Sequence, residues 1–398
     1  MAISKRTQGI APSLTLEITA KAKKMKAEGI SVIGFAAGEP DFNTPDYIIE
    51  AAKKALDIGF TKYTPASGTV ELKKAICEKF QKDNGLTYSA DQIIVSTGAK
   101  SSLYHAISAL VDDGDEVIIP SPYWLTYPEL VRLAGGTCVY VKTTKETNFK
   151  MSAKQLKDAI TDKTKCLILT SPSNPTGAVY TKEEIIELAK VVEEKGIYVI
   201  SDEIYEKLVY GGQEHYSIAA VSDYLKEHTV VINGVSKSYS MTGWRIGYLA
   251  APKDVAKAVS SMQSHTTSNA CSISQYASVA ALTDAKSDEF IGNMQKIFDE
   301  RRKYMINFLS TIEGIACPEP KGAFYVFIDI SSLYGKKYKN TTINGSLVFA
   351  DCALSKGVAV IPGIAFGDDN CIRLSYAISL EDIKEGLNRL KDFIKELN

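Results

Sequence analysis

The stretch QIIVSTGAKSSLYHAISALVDDGDEVIIP, residues 92–120, constrains the fold more than any other. It reads as a short β-rich run, a tight turn at Gly98, a helical pattern, a glycine turn and a second β-rich run. KCLILTSP (165–172), YVISDEIY (198–205) and TVVING (229–234) repeat the theme. The helix IIELAKVVEEKG lies between the first two, behind a capping-box pattern of Thr181 and Glu184. Short, continuously apolar strands joined by helical crossovers belong to a largely parallel sheet covered on both faces. Asp46 is expected to precede and cap another helix, which runs through Ile48, Ile49, Ala52 and Leu56 and is closed by Gly59.

After about Ser287 the pattern changes. A long helix is expected over 287–314, then a strand in GAFYVFIDI, a helix in GSLVFADCALSKG, strands in VAVIPG and CIRLSYA, and a terminal amphipathic helix. The expected organisation is a large domain over 46–290 and a smaller α+β domain built from 1–45 and 291–398.

Composition narrows the class. A net charge of −1 from 46 basic and 47 acidic residues gives no footprint for nucleic acid or an anionic membrane. The N-terminal stretch lacks the apolar core of a signal peptide, and no run approaches the ~18 apolar residues of a membrane span. Seven scattered cysteines without a C-x-x-C read as reduced thiols, mostly buried, in a cytoplasmic protein. With four histidines and no H-E-x-x-H, no metal site is expected.

In an open α/β sheet, ligands bind beyond the carboxyl ends of the strands. Four unusual segments fall at such ends: STGAK, SPSNPTG, SDEIY and NGVSK. The Gly98–Ala99 turn at a helix start suits an anion, although a plain βα turn also explains it. Lys100 opposes the helix dipole there and calls for an anionic partner. Turn chemistry accounts for Pro175 and Gly177 but does not require Asn174. Asp202, at the inner end of an apolar run, needs a partner, and Tyr205 follows three residues later. Lys237 stands among small residues, where desolvation would make its amine a nucleophile and base, and Arg245 offers a fork for phosphate. With Trp124 as a ring platform, the set is what a pyridoxal phosphate site needs.

At these residues the sequence resembles the class I aspartate aminotransferase family of fold-type-I pyridoxal phosphate enzymes. GEPDF, the tyrosine of TKYTPASG, STGAK, PYW, SPSNPTG, SDEIY, SKSYSMTGWRIGY and IRLSYA match in the family's order, nearly end to end. The resemblance implies a Schiff base between Lys237 and pyridoxal 5′-phosphate, with Lys237 as proton shuttle and Asp202 holding the ring nitrogen protonated. It implies Asn174 and Tyr205 on the phenolic oxygen and Trp124 on the ring face. The phosphate would rest on Arg245 and the Gly98–Ala99–Lys100 turn, with Tyr63 reaching in from a second subunit of a homodimer. Gly234 replaces a serine that many members use for phosphate, and Ser236 or a backbone amide would substitute.

Arg373 would clamp the substrate's α-carboxylate, helped by Gly38 and Asn174. One subgroup reads a distal carboxylate with residues that here are Lys100 and Thr15. The implied reaction is ping-pong transamination between L-aspartate and 2-oxoglutarate. Aromatic amino acids or prephenate as substrates, and β-elimination on the same fold, are the alternatives. A non-enzymatic regulator would need a DNA-binding segment for which the N-terminal part is too short.

Overall fold

The computed structural model describes residues 3–398. The strands are β1 (Ile33–Gly34), β2 (Ile93–Ser96), β3 (Glu116–Ser121), β4 (Thr137–Lys142), β5 (Thr164–Thr170), β6 (Tyr198–Asp202), β7 (Thr229–Gly234) and β8 (Gly247–Ala250). They continue with β9 (Tyr325–Asp329), a hairpin of β10 (Lys337–Tyr338) and β11 (Thr341–Thr342), β12 (Val358–Ala359), β13 (Ile361–Pro362) and β14 (Cys371–Ser375). β2 to β8 form one sheet in the order β2-β8-β7-β6-β5-β3-β4. Every pairing in it is parallel except those of β8, which runs antiparallel to both β2 and β7.

Side chains that alternate along each strand divide between the two faces of the sheet, which is why these runs are apolar throughout. Ile94, Ile119, Ile168, Ile200, Val230, Ile232 and Leu249 pack on one face, against Leu103 and Ile107 of the helix Ala99–Leu110 and Val255 of the helix Lys253–Thr266. Val95, Val231 and Tyr248 point to the other face, against Leu72, Ile76 and Phe80 of the helix Val70–Asn84.

A separate core gathers Phe298, Phe324, Phe349, Leu387 and Phe393 around the antiparallel sheet β13-β14-β9. β1 joins this part of the molecule by pairing in parallel with β12, so residues 33–34 bond to residues some 325 positions later. Three details differ from the sequence reading. Asp46 lies inside its helix as the first residue, with Pro45 in the N-cap position and no side-chain cap, and Leu56 is exposed on that helix's outer face. The long helix spans Lys286–Leu309 and ends before Gly314, because residues 310–314 close into turns. Of the cysteines, Cys166, Cys352 and Cys371 are buried, Cys77, Cys138 and Cys317 are half-buried and Cys271 is exposed; Cys138 lies on the edge strand β4, Cys317 in a loop and Cys271 at a helix start, where less of the chain covers them.

Candidate active site

Strand order decides what meets at the carboxyl edge of the large sheet. β8 is antiparallel, so it starts where β2 and β7 end. Gly247 lies opposite both Ser96 and Gly234. The residues after β2, after β7 and before β8 therefore converge, and those after β5 and β6 lie alongside. One cavity of about 610 Å³ opens there, lined by Thr15, Gly38, Ala99, Lys100, Trp124, Asn174, Asp202, Tyr205, Ser236, Lys237, Arg245 and Arg373. Of the residues singled out from sequence, only Gly98 and Tyr63 are missing from its wall. Gly98 lies just behind it under Arg245, and Tyr63 is 91% exposed elsewhere on this subunit.

Lys237 reaches the cavity surface, yet surrounding protein desolvates its amine. Burial pulls its pKa down to about 8, against the opposing charge of Glu39 and with help from Arg245 and Arg373. Its Nζ donates to the carbonyl oxygen of Gly38 at 2.5 Å. Asp202 is pushed up to about 6 by burial, while a hydrogen bond from Tyr127 and the Ile204 N–H hold it down. The Tyr127 hydroxyl donates to Asp202 Oδ2 at 2.7 Å. A buried carboxylate so poised gains strongly from any cation placed beside it.

Arg245 adopts a left-handed backbone (φ 56°) after the turn Thr242–Trp244, and its Nη1 donates to the Thr242 carbonyl at 2.8 Å. Two glycines let it lie over the start of the helix Ala99–Leu110. A Cβ on Gly98 would fall 2.2 Å from Arg245 Nη2, and one on Gly247 would fall 2.1 Å from the Ala99 nitrogen. This is a cradle of a guanidinium and free helix N–H groups.

Arg373 is buried, yet it faces no carboxylate. Its Nη1 donates to Asn174 Oδ1 at 2.9 Å and its Nη2 to the Ala36 carbonyl at 3.2 Å, while Nε has no partner. It stacks 4.3 Å from the Tyr325 ring centroid. Lys100 has no ion pair among the described residues. Its Nζ lies 5.0 Å from the Trp124 ring centroid, and burial, then the charge of Arg245, lowers its pKa. A buried guanidinium and an exposed, cavity-lining ammonium, neither paired with an acid, mark a cavity built for anionic groups.

A family model described as "Aminotransferase class I and II" matches residues 30–390. The chain belongs to the class I and II aminotransferases. It is 50% identical over 394 residues to a protein named aspartate aminotransferase from Bacillus sp. (strain YM-2), covering 99% of each chain. It is 46% identical over 392 residues to one named aspartate/prephenate aminotransferase from Cereibacter sphaeroides, covering 98% of each. The crystal structure of the aspartate aminotransferase from Rhizobium meliloti superposes with a TM-score of 0.96 at 41% identity, covering 100% of each chain. That of the Thermus thermophilus aspartate aminotransferase with maleate gives 0.93 at 41% identity, covering 99% of this chain and 100% of that one.

The enzyme is a pyridoxal-phosphate-dependent aminotransferase with the fold-type-I architecture. The residues present fit that cofactor. The Gly98–Arg245 cradle suits a phosphate dianion, Asp202 suits a ring cation, and Lys237 offers an amine of lowered pKa. Gly234 explains the missing serine: a Cβ there would lie 2.9 Å from the Ile246 carbonyl oxygen, so the close β7–β8 approach leaves no room for a side chain. Ser236 is buried and faces the cavity.

Sequence reading missed Tyr127, Tyr325 and Glu39. Tyr127 lies in the first turn of the helix Thr126–Ala134, three residues after Trp124, which precedes that helix; the two rings meet edge to face at 5.5 Å. Tyr325 shares a 3.0 Å hydroxyl contact with Tyr205, a cross-chain meeting with no local signal. Glu39 lies inside GEPDF and accepts from Thr242 Oγ1 at 2.8 Å.

Proposed function

We propose that the enzyme transfers the amino group between L-aspartate and 2-oxoglutarate, giving oxaloacetate and L-glutamate. The observation that carries this reading is the pair of acid-free cations, Arg373 and Lys100, on separate elements of one cavity. A dicarboxylate supplies the anion each of them lacks, and Thr15 adds a hydroxyl on the same wall.

When bound, pyridoxal phosphate supplies an electron-accepting ring that lets the Cα–H bond of an amino acid break. Lys237 would hold the cofactor through its amine until the substrate's own amine displaces it; the freed amine, neutral because of its lowered pKa, would then accept the proton from substrate Cα and pass it to the cofactor carbon bonded to the substrate nitrogen. Asp202, itself oriented by Tyr127, would keep a proton on the ring nitrogen. Tyr205 and Asn174 would hold the phenolic oxygen, and Trp124 would cover the ring. Arg245, Ser236 and the Gly98–Ala99–Lys100 turn would hold the phosphate. Arg373 clamps the α-carboxylate, with Asn174 fixing the guanidinium and Gly38 beside it.

The exposed Tyr63 completes the site of a partner in a homodimer. Residues 3–45 and 291–398 form a small domain, tied by the β1–β12 pairing, that closes on substrate against 46–290; residues 1–2 of that expected domain lie outside the described residues. An amino-donor panel on the purified enzyme tests the substrate. Aspartate should be the best donor, ahead of aromatic amino acids, with prephenate a poor acceptor. Lys100→Ala should lower kcat/KM for aspartate by about 100-fold and leave monocarboxylate donors little changed. Equal loss for both donor types would remove Lys100 from substrate recognition.

A further inference from the structure

The cavity holds more positive charge than the proposed reaction uses. Lys23, Lys26, Lys100, Lys237, Arg245 and Arg373 line it, against only Glu39 and Asp202. In a chain of net charge −1 this is a local concentration of cations. The cofactor, its phosphate and two substrate carboxylates occupy the last four. Lys23 and Lys26 have no assigned partner.

The helix Leu14–Ala27 sorts its lysines by face. Thr15, Thr19, Ala22, Lys23 and Lys26 follow helical spacing and all line the cavity. The other two lysines are paired away from it: Lys21 with Asp351 at 2.8 Å and Lys24 with Glu28 at 3.9 Å. Among the described residues, the side chain of neither Lys23 nor Lys26 has an ion pair or a hydrogen bond, and both residues are exposed. Unpaired cations at the solvent end of a concave, low-dielectric wall focus potential into it and concentrate anions there.

We infer that Lys23 and Lys26 form an outer anion subsite that captures small dicarboxylates at the mouth of the cavity, before their carboxylates reach Lys100 and Arg373. The inference rests on the dicarboxylate reading above and adds a second place where such a substrate is held. The subsite acts on capture and affinity and leaves the chemical step alone. Because both lysines are solvent-exposed, its effect is screened by salt.

The test uses the holoenzyme, two double variants that remove the same charge from the same helix, Lys23→Gln with Lys26→Gln and Lys21→Gln with Lys24→Gln, and one that reverses it, Lys23→Glu with Lys26→Glu. Succinate, an unreactive dicarboxylate, is titrated by its effect on the cofactor absorbance, and kcat and kcat/KM are measured with aspartate. Both are repeated at about 0.01 M and about 0.3 M ionic strength, between which the Debye length falls from about 30 Å to below about 8 Å. Removing Lys23 and Lys26 should weaken succinate binding and lower kcat/KM about three- to tenfold at low ionic strength, with kcat unchanged and the gap closed by salt. Lys21→Gln with Lys24→Gln should match the wild type, and Lys23→Glu with Lys26→Glu should exceed the loss of the glutamine pair. Equal losses in the two glutamine pairs, no loss in either, or a loss that salt leaves untouched would overturn the subsite. A wild type that ignores aspartate would instead overturn the substrate reading, while the succinate titration still reports on the lysines.

Discussion

Tyr127 donates its hydroxyl to Asp202 at 2.7 Å, joining the first turn of the helix Thr126–Ala134 to the end of β6. Both residues are buried, so the bond fixes which carboxylate oxygen faces the cavity and favours the ionised form that a protonated ring nitrogen needs. Tyr127→Phe should raise the Asp202 carboxyl further and weaken cofactor binding by about tenfold, the worth of one buried hydrogen bond to a charged group. Spectroscopic titration with pyridoxal phosphate measures this. Unchanged affinity would show that Asp202 needs no such support.

The amine of Lys237 should titrate near pH 8 in the cofactor-free enzyme, against the ordinary lysine range near 10.5. The folded-state pKa is the lower of the two, so between them the unfolded chain binds the extra proton. This lysine's contribution to stability therefore rises with pH from about 8 to about 10.5 and is unfavourable below. Acylation followed by peptide mass spectrometry, at a series of pH values, reads the group directly. Labelling of Lys237 should reach half-maximum near pH 8, well before bulk lysines. A profile identical to theirs would mean the amine is not desolvated.

Gly98 is required twice, by its left-handed φ of 79° and by the 2.2 Å that would separate an added Cβ from Arg245 Nη2. Gly98→Ala should displace the guanidinium and cost about 10- to 100-fold in affinity for pyridoxal phosphate, a loss of about 1.4–3 kcal/mol. Binding of pyridoxal, which has no phosphate, should change little. Equal losses for the two compounds would point to general disruption of the turn.

Much of this was legible in the sequence because local rules and global fold agree. The strand-end segments each sit on an apolar run whose length and flanking turns are explicit, and the sheet brings them to one edge. Other features depend on strand order and long-range packing, which no local pattern carries. Arg245 joins the phosphate cradle only because β8 runs antiparallel between β2 and β7. Tyr325 comes from β9, 120 residues beyond the Tyr205 it touches, and Tyr127 meets Asp202 across 75. The exclusion of a side chain at Gly234 likewise arises from the closeness of β7 and β8.

The most direct measurement is a half-reaction on purified holoenzyme, followed by the visible absorbance of the cofactor. L-Aspartate alone should convert the aldehyde form of the cofactor to the amine form, and 2-oxoglutarate should then restore the original spectrum. The wild type should do so with aspartate far faster than with phenylalanine or alanine, and Lys100→Ala should lose that preference. A wild-type spectrum that aspartate leaves unchanged, or that 2-oxoglutarate fails to restore, would contradict the proposed reaction.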